Sequence, residues 1–232
     1  MLKKGRPQVA PSFAFREKTG RMKHIVNSVV EISPLHNKIK PGYELISING
    51  HGIKDVLDYK FYSYEPKLQL EFLTPEGKKV KAKVRKNLGG DPGLNFETYL
   101  MDAPRHCANN CIFCFVDQTP DGMRPSLYFK DDDARLSFLM GNYITLTNLS
   151  DREVQRIIDL RVSPINVSVH TMNPALRAEM MGNRFAGEKL GALRRFAEAG
   201  IALNCQIVCC PGWNDGDELM YSLEEFSKLG PP

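Results

Sequence analysis

The sequence has a single tryptophan, Trp213, and no apolar run near the ~18–20 residues that cross a bilayer. Its first residues lack the unbroken apolar core of about 7–15 residues that a secretory signal needs. A cytoplasmic protein is expected. A basic stripe is missing too. Residues 1–21 hold Lys3, Lys4, Arg6, Arg16, Lys18 and Arg21 against Glu17, so of the net charge of +4 that segment supplies +5 and the remainder carries −1. General nucleic-acid binding is therefore not expected. The same segment lacks helical or strand periodicity and reads as a basic disordered tail, with Met22 an alternative start. Also absent are the two cysteine pairs of a structural zinc site. There are six cysteines, and three fall in one octet, "CANNCIFC", residues 107–114. In a reducing compartment, clustered cysteines more often bind metal or do chemistry than form disulfides.

What is present divides into two regions. Residues 22–87 read as short strands around little helix. "HIVNSVVEI" is a strand. "KPGYELISING" gives a Pro-Gly turn, a strand over 43–48 and an Asn-Gly turn. "DVLDYKFYSY" suits a short helix, and "KLQLEFL" and "KKVKAKVRK" alternate around "TPEG" as a hairpin. "NLGGDPG", 87–93, is a Gly/Pro-rich joint, with residues 88–93 as linker.

Beyond the joint, residues 94–232 alternate strand and helix. Strands are expected at "LNFETYLMD" (94–102), "NYITLTNL" (142–149), "INVSVHT" (165–171) and "ALNCQIVCC" (202–210). Ser150 with Glu153 forms a capping box before "REVQRIIDL". "GEKLGALRRFAEAG" and "DELMYSLEEFSKLG" carry apolar residues at helical spacing. Repeated βα units imply a parallel sheet, open or curled into a barrel, with ligands at the carboxyl ends of its strands. A complete eight-unit barrel needs about 250 residues, more than remain.

Three thiolates at C-x3-C-x2-C fit three corners of a [4Fe–4S] cluster and leave one iron open for a ligand. Asn148, His170 and Pro211–Asp215 follow expected strand ends, where a site belongs. A structural zinc site with His106 as fourth ligand, or buried cysteines without a metal, are the plainer alternatives. Cys205, Cys209 and Cys210 read as buried thiols, because neighbours on a strand point to opposite faces. Asp131–Asp133 reads as a solvated acidic loop. Trp213 follows a Pro-Gly turn, and nothing decides whether it covers a pocket.

The spacing of Cys107, Cys111 and Cys114, with Phe113 before the last cysteine, resembles the radical S-adenosylmethionine (radical SAM) enzymes. The stretches "CIFCFVDQTPDGMRPSLYFKDDDARLSFLMGNYITLTNL", "SPINVSVHTMNPALRAEMMGNRFAG" and "NCQIVCCPGWNDGDEL" look like one family within them. That family has an N-terminal PDZ-like domain, a radical SAM core and a C-terminal domain of unknown function, and no assigned reaction. The PDZ likeness rests on "PGYELISINGHGI", with Tyr43 where an acid is usual. The resemblance implies an α/β fold: a small mainly-β PDZ-like domain, then a partial (β/α) barrel with about four of six units present. The chain reads as C-terminally truncated relative to that family.

The resemblance further implies an iron–sulfur enzyme that cleaves S-adenosylmethionine reductively to a 5′-deoxyadenosyl radical. Cys107, Cys111 and Cys114 would hold the [4Fe–4S] cluster, and the Phe113 backbone would lie against adenine. Where many members have a Gly-Gly-Glu turn, "TLTNLS" stands here, so Thr147 and Asn148 would supply the polar contacts. Ser168 and His170 share a strand face, and Gln206 would point inward toward the cofactor. The implied partners are a reductant such as a ferredoxin or flavodoxin, and an extended peptide at the PDZ-like domain. Two rivals remain: an electron-transfer protein that ignores S-adenosylmethionine, and a peptide-binding module with an inert barrel.

Overall fold

A computed structural model describes residues 23–230. The expected disordered tail and the alternative start at Met22 lie outside the described residues. The chain divides into two lobes between Ala103 and Pro104. Among the described residues, no helix is long and apolar enough to cross a membrane.

The first lobe contains β1 (Val26–Val29), β2 (Glu44–Ile48), β3 (His51–Gly52), α1 (Val56–Tyr62), β4 (Lys67–Leu73), β5 (Lys79–Arg85) and β6 (Leu94–Phe96). A four-stranded antiparallel sheet runs in the order β3-β2-β4-β5. Its turns follow local chemistry. Asn49 and Gly50 take φ of 51° and 83° between β2 and β3, the left-handed pair that a two-residue hairpin requires. The alternation of β4 and β5 buries Leu68, Leu70, Phe72, Ala82 and Val84 on one face. The Asp55 side chain caps α1 by accepting from the Leu57 N–H at 2.9 Å.

β6 does not open the second region, as its sequence suggested. It pairs antiparallel with β1, Val29 opposite Leu94. Residues beyond it stay in the same lobe: Leu100 is 1% exposed, its carbonyl accepts from Val56 N–H, and the ring of buried His24 reaches the Met101 carbonyl. The Gly/Pro joint at 87–93 is therefore a loop inside the first lobe. Glycine and proline mark a turn, but they carry no information on which strand completes it.

The second lobe contains α2 (Ala134–Met140), α3 (Asp151–Asp159), β7 (Ile165–Ser168), α4 (Pro174–Met180), α5 (Gly191–Glu198), β8 (Leu203–Gln206) and α6 (Gly216–Ser227). β7 and β8 pair in parallel, Ile165 opposite Leu203 and Ser168 opposite Gln206. The expected strand at 142–149 is reduced to a parallel bridge between Ile144 and Val167. It ends because Asp132 takes the Thr145 N–H at 2.6 Å, and Leu146 then turns the chain at φ 65°. The result is a mixed α/β lobe.

One sheet face is apolar. Ile165, Val167 and Val169 are fully buried there, as are Leu193 and Phe196 of α5, with Val154 and Ile157 of α3 nearly so. Each such side chain contributes about 1.5–3 kcal/mol by leaving water. The Ser150–Glu153 capping box opens α3, and Gly200 at φ 72° closes the turn after α5. The other face is polar: Asn204 donates to Asn166 at 2.7 Å, and Ser168 to Gln206 at 3.3 Å.

Candidate metal centre

The octet of residues 107–114 forms a loop held from two sides. On one side Cys107 N–H donates to the Lys130 carbonyl at 2.8 Å, and Asp132 N–H to the Arg105 carbonyl at 3.1 Å. On the other, Asn110 and Ile112 donate their N–H groups to the carbonyls of Met181 and Met180, both at 2.9 Å. Gly182 permits that approach. It sits at φ 55°, and a Cβ there would come within 2.8 Å of the Asn110 carbonyl oxygen.

The three thiols are half-buried, and Cys107 and Cys114 each lie within electrostatic reach of Cys111. Burial, then the neighbouring Cys107 and Cys114 charges, push the Cys111 thiol up to about 12. Cys107 is also raised, chiefly by burial. Burial alone would lower Lys130, but bonds to Asp117 and Cys114 hold it as a cation above its ordinary value. Such thiols become thiolates together only over a strong positive centre. Among the described residues, no three His, Cys, Asp or Glu side chains are arranged to hold a single metal ion.

A buried hydrogen-bonded network underlies the loop. Asn109, 5% exposed, donates from Nδ2 to the Cys107 sulfur at 3.3 Å and to Thr145 Oγ1 at 2.9 Å. Its Oδ1 accepts from Thr147 Oγ1 at 3.1 Å and Asn183 Nδ2 at 2.7 Å. Asp132, 3% exposed, accepts from Thr145 Oγ1 at 2.5 Å. Burial raises Asp132 despite these bonds. Asp133 caps α2 and forks with Arg135; burial pushes it up, but the guanidinium outweighs that and holds it low. The expectation of a solvated acidic loop is thus wrong for Asp132 and Asp133. Three consecutive acids look like surface because sequence shows neither the hydroxyls nor the guanidinium that satisfy them.

Beneath the network lies Arg177, fully buried. It donates to the carbonyls of Val169, Ser168, Thr145 and Ala186, tying the sheet to the loop after α4. His170, 4% exposed and at φ 67°, follows β7. Burial, then the Arg177 charge, lower it to about 3, so it is neutral. Its Nδ1 accepts from Val208 N–H at 3.3 Å, which leaves the ring proton on Nε2. Its ring lies 4.3 Å from that of Phe113, centroid to centroid.

Residues 86–232 match the family model of the radical SAM-like domain. The chain belongs to the radical SAM-like family. No curated protein matches the chain.

Within this family framework, several expected residues come together. Phe113 touches His170, and Ser168 touches Gln206. Thr147 is tied into the Asn109–Asp132 network. Asn148 anchors its Nδ2 to the carbonyls of His106 and Asp132, while its buried Oδ1 has no hydrogen-bond partner. Cys205, Cys209 and Cys210 depart from the reading as buried thiols. Cys205 is half-buried beside Phe226, Leu229 and Ala197, and burial pushes it up to about 11, an unreactive thiol. Cys209 is exposed, because regular strand geometry ends at Gln206 and strand alternation no longer governs it. Sequence reasoning missed Asn109, Asp132, Thr145 and Arg177. Only the nearness of Asn109 to Cys107 offered a signal.

Proposed function

We propose that this protein binds a [4Fe–4S] cluster through Cys107, Cys111 and Cys114, and S-adenosylmethionine at the iron they leave open. The observation that carries the reading is one loop gathering three thiols, with no fourth, beside the carboxyl end of parallel β7. When bound, the group supplies one electron to S-adenosylmethionine, yielding methionine and a 5′-deoxyadenosyl radical that takes a hydrogen atom from a substrate.

The chain's own residues bind and orient. Asn148 Oδ1, a buried acceptor without a partner, suits an ammonium group and would hold the amino end of S-adenosylmethionine. Thr147 is committed to Asn109 and Asp132, so it supports the loop and leaves that contact to Asn148. Neutral His170 offers Nε2–H as a fixed donor toward ribose or substrate, and its ring limits the space over Phe113. Ser168 and the exposed Gln206 would supply polar contacts from one sheet face. The reductant is a low-potential carrier of the ferredoxin or flavodoxin class.

The test is anaerobic reconstitution with iron and sulfide, followed by electron paramagnetic resonance of the reduced protein. A cluster signal that changes on adding S-adenosylmethionine is the expected result. A cluster indifferent to it would leave only electron transfer. No cluster, with wild type matching Cys107→Ala, would sink the reading.

A further inference from the structure

The Asn109 amide has a defined orientation. Phe185 N–H, a donor without ambiguity, bonds Asn183 Oδ1 at 3.0 Å. Asn183 must therefore present Nδ2 to Asn109, and does so at 2.7 Å. That makes the receiving atom of Asn109 its oxygen, which leaves Nδ2 facing the Cys107 sulfur at 3.3 Å. A backbone N–H thus dictates, through two amides, which end of Asn109 meets the sulfur. Thr147 and Thr145 hold the same amide from either side, and it is almost wholly shielded from water.

A hydrogen bond to a ligating sulfur favours the reduced cluster, because reduction adds negative charge that spreads onto the thiolates. The network is assembled in the chain itself, so the donor costs little reorganisation when charge arrives. We infer that Asn109, oriented by Asn183, is a positioning residue that donates to the Cys107 sulfur and raises the reduction potential of the cluster bound there. This rests on the proposed cluster at Cys107, Cys111 and Cys114.

The experiment is an anaerobic potentiometric titration of the reconstituted full chain, wild type beside Asn109→Asp, Asn109→Leu and Asn183→Asp. Asn109→Asp keeps the acceptors for Thr147 and Asn183 but removes the donor. Asn183→Asp keeps the Phe185 bond but sets a carboxylate against the Asn109 oxygen, turning the amide around. Each should lose about tenfold in preference for the reduced form, a potential about 59 mV lower for a one-electron couple. A merely structural Asn109 predicts otherwise: Asn109→Leu, which removes the donor without adding a charge, stays at the wild-type potential once loaded. If the Asn109 variants do not load iron, Asn183→Asp is read beside Asn183→Leu, which withdraws the same orienting donor without adding a charge, and Asn183→Leu at the wild-type potential overturns the inference. Variants that load normally at the wild-type potential overturn this inference and leave the proposed function standing. A wild type that binds no cluster overturns both.

Discussion

At the scale of single residues, the site is governed by how buried polar groups are satisfied. Arg177 answers four carbonyls, Asp132 takes two groups of Thr145, and Asn109 uses both ends of its amide. Against that background the partnerless Asn148 Oδ1 stands out, since such an atom costs about 1–3 kcal/mol when left without a donor. A ligand ammonium group would relieve it. Asn148→Ala should therefore raise the S-adenosylmethionine concentration needed for half-maximal change of the cluster signal by about tenfold. An unchanged midpoint would place the amino group elsewhere. Of these residues the cysteines and Phe113 were legible in sequence, because their spacing is local. Asn109, Asp132 and Arg177 were not, because their partners lie 13 to 38 positions away on other elements.

At the scale of elements, helices followed the sequence more closely than strands. α3 begins at the residue its capping box marks, and the box is coupled to the loop: Glu153 accepts from Ser150 and pairs with Arg105, two residues before Cys107. Burial would raise Glu153, but the bonds from Arg105 and Ser150 outweigh it and bring it to about 2. A carboxylate depressed in the folded state stabilises fully above its ordinary value of 4.5 and loses that contribution as pH falls toward 2. Urea midpoints of the cluster-free chain should fall between pH 5 and pH 3, and Glu153→Gln should flatten that fall. Equal slopes would mean that Glu153 carries none of the acid sensitivity. The strands at 94–102 and 142–149 were misjudged for different reasons. The first has the right pattern but pairs with β1, and the second gives its backbone N–H to Asp132 instead of a neighbouring strand.

At the scale of the whole molecule, the division falls after Ala103 rather than in the Gly/Pro joint. This predicts how the first lobe behaves when cut out. Residues 23–103 should unfold cooperatively in urea, because β6 and Leu100 are included. Residues 23–87 should not, since β1 then lacks its partner and a core position is emptied. Similar cooperativity in both fragments would restore the boundary at the joint. The sequence by itself determined the clustering of three thiols in one loop, the alternation of β4 and β5, the cap of α3 and the apolar faces of α3 and α5. These depend on residues a few positions apart, where geometry follows from the backbone period. Tertiary structure alone decided where β6 pairs, that Asp132 and Asp133 are buried, and which end of Asn109 faces the Cys107 sulfur. Those choices are made by hydrogen-bond partners distant in the chain, and a buried polar atom takes whichever donor or acceptor the fold brings to it.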